Sequence, residues 1–173
     1  MKKILLSVIV FSFCFAGTFY VEMGCSPQYT VNDASTDLDL GGLTIGYNHG
    51  FFQSGSWALS VGASYTLNPI TGIRSNPAIR FVAPNSEAGF MSVYLLPVYQ
   101  IGEKFFAWGS FGINSGLYDL DDHENGNTIG YGIHIKCNDT YGIGAGFTNN
   151  TVTLDGADFD FNRTSVFFTA KIN

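Results

Sequence analysis

The sequence predicts an all-β chain, an eight-stranded antiparallel up-and-down transmembrane β-barrel that follows a cleaved signal peptide. Three observations predict it. Past Gly17 the segments alternate with period two, and almost none carries helical period. The polar side of that alternation is Gly, Ser and Thr rather than charge: 13% of the 173 residues are charged, against 46% hydrophobic and 16% aromatic. The connections between segments alternate short and long, as in barrels that cross an outer membrane.

Composition also removes other classes. A chain this apolar offsets its ordering entropy, which excludes disorder. No apolar run of ~18 residues exists outside the N-terminus, which excludes a bundle of spanning helices. A net charge of −6 without a basic patch excludes a nucleic-acid partner.

Residues 1–16 read as a secretory signal. Lys2 and Lys3 supply the positive start, and Cys14 and Ala16 are small residues at the −3 and −1 positions of a cleavage site. Cleavage leaves residues 17–173 and removes two lysines, taking the net charge from −6 to −8. A lipoprotein signal ending at Gly24-Cys25 is rejected, because Glu22 and Met23 stand where small or aliphatic residues belong.

The first strand is expected at 18–25, with Phe19, Val21 and Met23 opposing Tyr20, Glu22 and Gly24. The second, 38–48, sets Leu43, Ile45 and Tyr47 against Thr44, Gly46 and Asn48. Leu38 and Leu40 are out of phase, and a bulge at Gly41-Gly42 reconciles the halves. The third, 56–67, is the cleanest: Trp57, Leu59, Val61, Ala63, Tyr65 and Leu67 on one face, with Ala58, Ser60, Gly62, Ser64 and Thr66 on the other. Five more follow at 90–101, 105–117, 128–136, 140–149 and 163–172. An alternative count makes 17–37 a periplasmic tail and 77–83 a short strand. The first solution is preferred because Pro77 and Pro84 suit a loop.

Which face meets water decides the class. A soluble sandwich carries Lys, Glu, Arg and Asp outside. Here the polar face is too small and too uncharged for that, and it suits a crowded barrel interior. The apolar face then points outward, where only lipid stabilises it. Trp57, Tyr65, Tyr99, Phe105, Tyr131, Tyr141 and Phe147 fall near strand ends, as aromatic girdles do. Connections 102–104 and 137–139 are short and periplasmic. Those at 26–37, 68–89, 118–127 and 150–162 are the external loops. Cys25 then lies toward the outside and Cys137 in a periplasmic turn, too far apart to bridge. Two free thiols are expected.

At this point the chain resembles the small outer-membrane barrels of the OmpX and opacity-protein type. The likeness rests on residues 41–47 (GGLTIGY), on 108–112 (WGSFG), and on the hairpin pairing 130–133 (GYGI) with 141–147 (YGIGAGF). It implies a packed lumen, external loops, an outer-membrane location, and roles in envelope integrity, adhesion and host-surface interaction. Its partners would be outer-membrane lipid and lipopolysaccharide, the barrel-assembly machinery, and an external surface ligand engaged by the loops, with the protein a monomer. Barrels of this type usually end in an aromatic residue; residues 167–173 alternate intact but end on Ile172 and Asn173.

Glu22, His134, Lys136, Arg163 and Lys171 face the expected lumen and read as a structural ion-pair network, since charges away from water need partners. Lys171, on the neighbouring final strand, is the partner expected for Glu22. No catalytic, cofactor-binding or metal residues are assigned. A lipid A-modifying enzyme would need a serine with a positioned histidine, and His49, His123 and His134 lack that spacing. A narrow pore is the other alternative, although eight strands enclose only enough room for side chains. The acids of the external loops, Asp119, Asp121, Asp122, Glu124, Asp155, Asp158 and Asp160, read as solvated charge. Asp121 to Gly126 resembles a calcium loop only faintly, because His123 stands where an oxygen ligand belongs. A lipocalin-like carrier matches at Gly55-Ser56-Trp57 but would need a charged exterior that neither face supplies.

Overall fold

The computed structural model describes residues 17–31, 34–37, 42–67, 88–118, 124–154 and 156–172. They form β1 (Gly17–Val31), β2 (Ala34–Asp37), β3 (Leu43–Ser54), β4 (Trp57–Leu67), β5 (Ala88–Gln100), β6 (Phe105–Tyr118), β7 (Gly126–Lys136), β8 (Tyr141–Leu154) and β9 (Ala157–Ile172). Each barrel strand pairs antiparallel with its neighbours in sequence. β1 also pairs with β9, from Gly17↔Ile172 to Val31↔Phe159, and closes a ring of eight. β2 is outside the ring and folds back on the end of β1, from Gln28↔Asp37 to Val31↔Ala34. Closure follows from the solvent: in lipid each N–H and C=O needs a protein partner, and only a closed sheet supplies them all.

The burial is inverted relative to a soluble protein. Met23, Phe111, Ile113, Ile129, Ile133, Ile143, Val166 and Phe168 are exposed. Glu22, Thr44, Thr66, Ser92, Asn114, Thr128, Asn150 and Ser165 are buried. The expected assignment of faces therefore holds for most of the ring, the exceptions being Tyr47, Ala63 and Met91, which were expected to face outward and are buried. Outward-facing rings pair across strands, Trp57 with Tyr99 at 4.8 Å and Tyr141 with Phe168 at 5.5 Å between centroids. Such amphipathic rings suit the interface between acyl chains and water.

The chain enters at the end that carries the turns 55–56, 101–104 and 137–140, and β9 finishes there too. By the rule of short inner turns this end is periplasmic. The β3–β4 turn has two residues, and Gly55 takes φ of 56° there, a left-handed conformation that side chains resist.

Several expected boundaries need correction. β1 runs to Val31 rather than stopping near 25, and with β2 it fills most of the expected loop 26–37. The second barrel strand is β3, displaced toward the periplasm relative to 38–48. Ladder irregularities fall at Gly24/Ser26 and Gly50/Phe52. Residues 38–41, and with them the out-of-phase Leu38 and Leu40, lie outside the described residues. So do the signal segment 1–16, residues 68–87 of the second external loop, the alternative strand 77–83, and residues 119–123. Ala88 and Gly89 belong to β5, while Tyr118, Gly126 and Asn127 belong to β6 and β7, which shortens the connections expected at 68–89 and 118–127.

The largest correction is at 150–162. β8 and β9 stay paired up to Leu154↔Ala157, so paired strand replaces most of the expected loop and only two residues separate the strands. Gly156 has φ of 78° there. Asp-Gly is a strong hairpin signal because a tight turn of the right twist needs positive φ.

Candidate functional site

Two regions carry polar side chains that the membrane-embedded wall does not require: the lumen, and the outward face of the β8–β9 hairpin. In the lumen, five rings lie over glycines of neighbouring strands. Tyr20 lies over Gly46, Tyr94 over Gly62, Phe167 over Gly144, His134 over Gly142, and Trp108 over Gly132 and Gly146. The glycine-rich face is thus room for rings.

At mid-height the rings join a polar layer. Tyr94 donates its hydroxyl hydrogen to Asn48 Oδ1 at 3.0 Å and accepts from the Tyr20 hydroxyl at 2.9 Å. Above it, Arg163 Nε lies 2.9 Å from Glu22 Oε1, with both side chains nearly buried. The two atoms face each other as opposite charges rather than as an aligned hydrogen bond. Arg163 also reaches Thr66 Oγ1 at 3.5 Å.

Of the five residues expected to form one lumen network, only Glu22 and Arg163 pair. The expected Glu22–Lys171 pair is not formed. Glu22 sits opposite Phe167, and Lys171 and Arg163 each lie four residues from Phe167 in opposite directions. Lys171 is exposed at the periplasmic mouth, where water solvates its ammonium. The buried Arg163 has no such recourse and needs the carboxylate. Lys136 pairs instead with Asp139 of the adjacent turn, at 2.7 Å. His134 meets Thr169 Oγ1 at 2.9 Å and stacks on Phe167.

The Lys136 ammonium holds the Asp139 carboxyl below its usual 3.8. The pair therefore persists above the ordinary carboxylate range and is lost only as pH falls through that lowered value. In an NMR titration the Asp139 carboxyl carbon should show a midpoint below that of an unstructured aspartate, and Lys136→Gln should return it.

The lumen is not filled. The rings leave a cavity of about 480 Å³ that reaches from Thr18, Gln53 and Lys171 at the periplasmic mouth to Thr128 and Asn150. This corrects the expectation of a fully packed interior. Beyond its inner end an apolar cluster follows on the extracellular side. Phe90 and Phe161 meet edge to face at 4.6 Å, and Val152 and Phe159 are buried beside them in register.

On the outside of the same hairpin the pattern reverses. Below, Val166 and Phe168 face lipid. Above, the outward residues are Thr164, Asn162, Asp160 and Asp158 on β9, opposite Phe147, Asn149, Thr151 and Thr153 on β8. Asn149 donates to Asn162 Oδ1 at 2.8 Å and to Asp160 Oδ1 at 3.2 Å. Thr151 donates to Asp160 Oδ1 at 2.6 Å, and Thr153 to Asp158 Oδ1 at 2.8 Å. A hydrogen-bonded polar ladder on a barrel exterior belongs in water, so this hairpin rises above the acyl chains. Glu124 bridges to Thr153 and adds to its edge. Cys25 and Cys137 are both free and exposed, as expected.

No sequence-family model matches the chain, and no curated protein matches it. Solved structures do match. The crystal structure of Neisserial surface protein A (NspA) superimposes with a TM-score of 0.58 at 10% identity, covering 90% of this chain and 97% of that one. Ail, the attachment invasion locus protein of Yersinia pestis, gives 0.49 at 13% identity over 90% and 99%. The N-terminal β-barrel domain of Pseudomonas aeruginosa OprF gives 0.40 at 12% identity over 88% and 98%. Closed ring, lipid-facing exterior and the likeness to NspA agree: the chain is a small eight-stranded barrel of the bacterial outer membrane.

Proposed function

We propose that this barrel is a non-enzymatic surface-interaction protein, using its extracellular hairpins for adhesion while the transmembrane ring anchors them in lipid and lipopolysaccharide. One observation carries the reading. The β8–β9 hairpin stays fully paired above the apolar band and presents an ordered row of Asn, Asp and Thr side chains outward. A stiff polar sheet loses little entropy on contact, which favours binding over mere solubility.

The test is a shortened hairpin. Residues 152–159 are replaced by Asn-Gly, so that Thr151 and Asp160 flank a two-residue turn. The variant should still show the shift between heated and unheated gel lanes that marks a folded barrel. Adhesion of expressing cells to host-cell or matrix surfaces should drop to the level of cells lacking the protein. Unchanged adhesion with a folded barrel would remove the proposal. The buried cluster of Phe90 and Phe161 argues against a conducting pore, so planar bilayers should show no steady conductance. The lumenal histidine meets Thr169 rather than a serine, and lipid A mass should be unchanged on overexpression.

A further inference from the structure

We propose that the lumen is a blind binding pocket entered from the periplasm, and that it takes a small anionic molecule with an apolar or aromatic body. Four features point there. The cavity, about 480 Å³, falls within the ~300–1,000 Å³ typical of small-molecule sites. Its two ends differ. Gln53, Gly50 and Lys171 at one end are exposed, whereas Thr128 and Asn150 at the other are buried beneath the phenylalanine cluster. Access is therefore from the periplasmic side.

The walls are graded in the same direction. Next to the mouth stand Leu96, Val98, Trp108 and Phe167, an apolar and aromatic belt within an otherwise polar interior. Trp108 lines the cavity, and its Nε1 is buried with no acceptor. The charge at the entrance is positive. Glu22 is neutralised by Arg163 and Asp139 by Lys136, which leaves Lys171 lining the cavity. At this end the described lysines Lys104, Lys136 and Lys171 outnumber the described acids Glu103 and Asp139, while Asp158, Asp160 and Glu124 lie at the other. A carboxylate drawn to Lys171 would lay its body against Phe167 and Trp108. Charge brings it in, and ring contact retains it.

The experiment uses the full mature chain in lipid nanodiscs with Trp57→Phe, which leaves Trp108 as the single tryptophan. Its indole N–H resonance is followed while phenylacetate is added, with benzyl alcohol and benzylamine as uncharged and cationic comparators. The expected result is a saturable shift with phenylacetate, weaker with benzyl alcohol and absent with benzylamine. Lys171→Gln, at an exposed position, should weaken phenylacetate by roughly ten-fold, as loss of a charged hydrogen-bond partner does. Gln53→Phe should block entry at the mouth, and Phe161→Leu at the sealed end should not weaken binding. No shift in a folded barrel overturns the proposal. Equal shifts with all three probes, or a phenylacetate shift indifferent to Lys171→Gln, overturn it too, because they report partition into the bilayer.

Discussion

Valine at Gly144 is expected to prevent the barrel from closing stably, at a cost of about 3 kcal/mol. A Cβ there would meet the Phe167 ring and come within 2.6 Å of the Ile133 carbonyl oxygen. The ring can turn away, but the carbonyl cannot, because β7 and β8 are locked side by side at Ile133↔Ala145. Urea titration in micelles, read as the fraction of unheated protein that keeps its compact mobility, should show the loss. Adding Phe167→Ala should recover only part of it, since the carbonyl remains in the way. Gly50→Val is the control: its nearest neighbour is Ser60 Oγ at 3.7 Å, and stability should hardly change. A Gly144→Val protein as stable as its parent would mean that ring-over-glycine packing does not set the lumen.

The second large effect is expected at Arg163. Arg163→Ala leaves Glu22 buried and without its counter-charge, which typically costs about 3–5 kcal/mol. The same titration should then show the double variant Glu22→Gln/Arg163→Met to be more stable than Arg163→Ala, because it removes the stranded charge with its partner. Lys171→Ala, which empties the position first expected to pair with Glu22, should leave stability near that of the parent. If Lys171→Ala proved as costly as Arg163→Ala, the pairing seen here would be wrong.

The ring of strands was legible because lipid enforces one rule over its whole height. Every residue that faces acyl chains is apolar, so Trp57 to Leu67 or Ile129 to Ile135 announce their faces by type alone. Above the membrane that rule ends. Along β9 the alternation continues through Phe159, Asp160, Phe161 and Asn162, but the outward side is now polar and the inward side apolar. Read with the sign of the lower barrel, such a segment looks like a loop, although its period of two and the Asp155-Gly156 dipeptide both mark a hairpin. The lumen was legible in kind but not in pairing. Periodicity places Glu22, Arg163 and Lys171 on one interior, yet it carries no depth, and depth decides which cation needs the carboxylate. The cavity was not legible at all, because its size depends on how far each ring leans over its glycine.

The seam between β1 and β9 joins the first and last of the described strands. During assembly one edge of β1 is taken by β3 as soon as that hairpin forms, and the other stays bare until the last strand is delivered. A bare edge is a template for any passing strand, and a contact so remote along the chain is among the slowest to form. A copy shortened at its C-terminus is therefore no narrower cylinder but an open, adhesive ribbon. For this fold the final residues act as a latch, and completion is all or nothing.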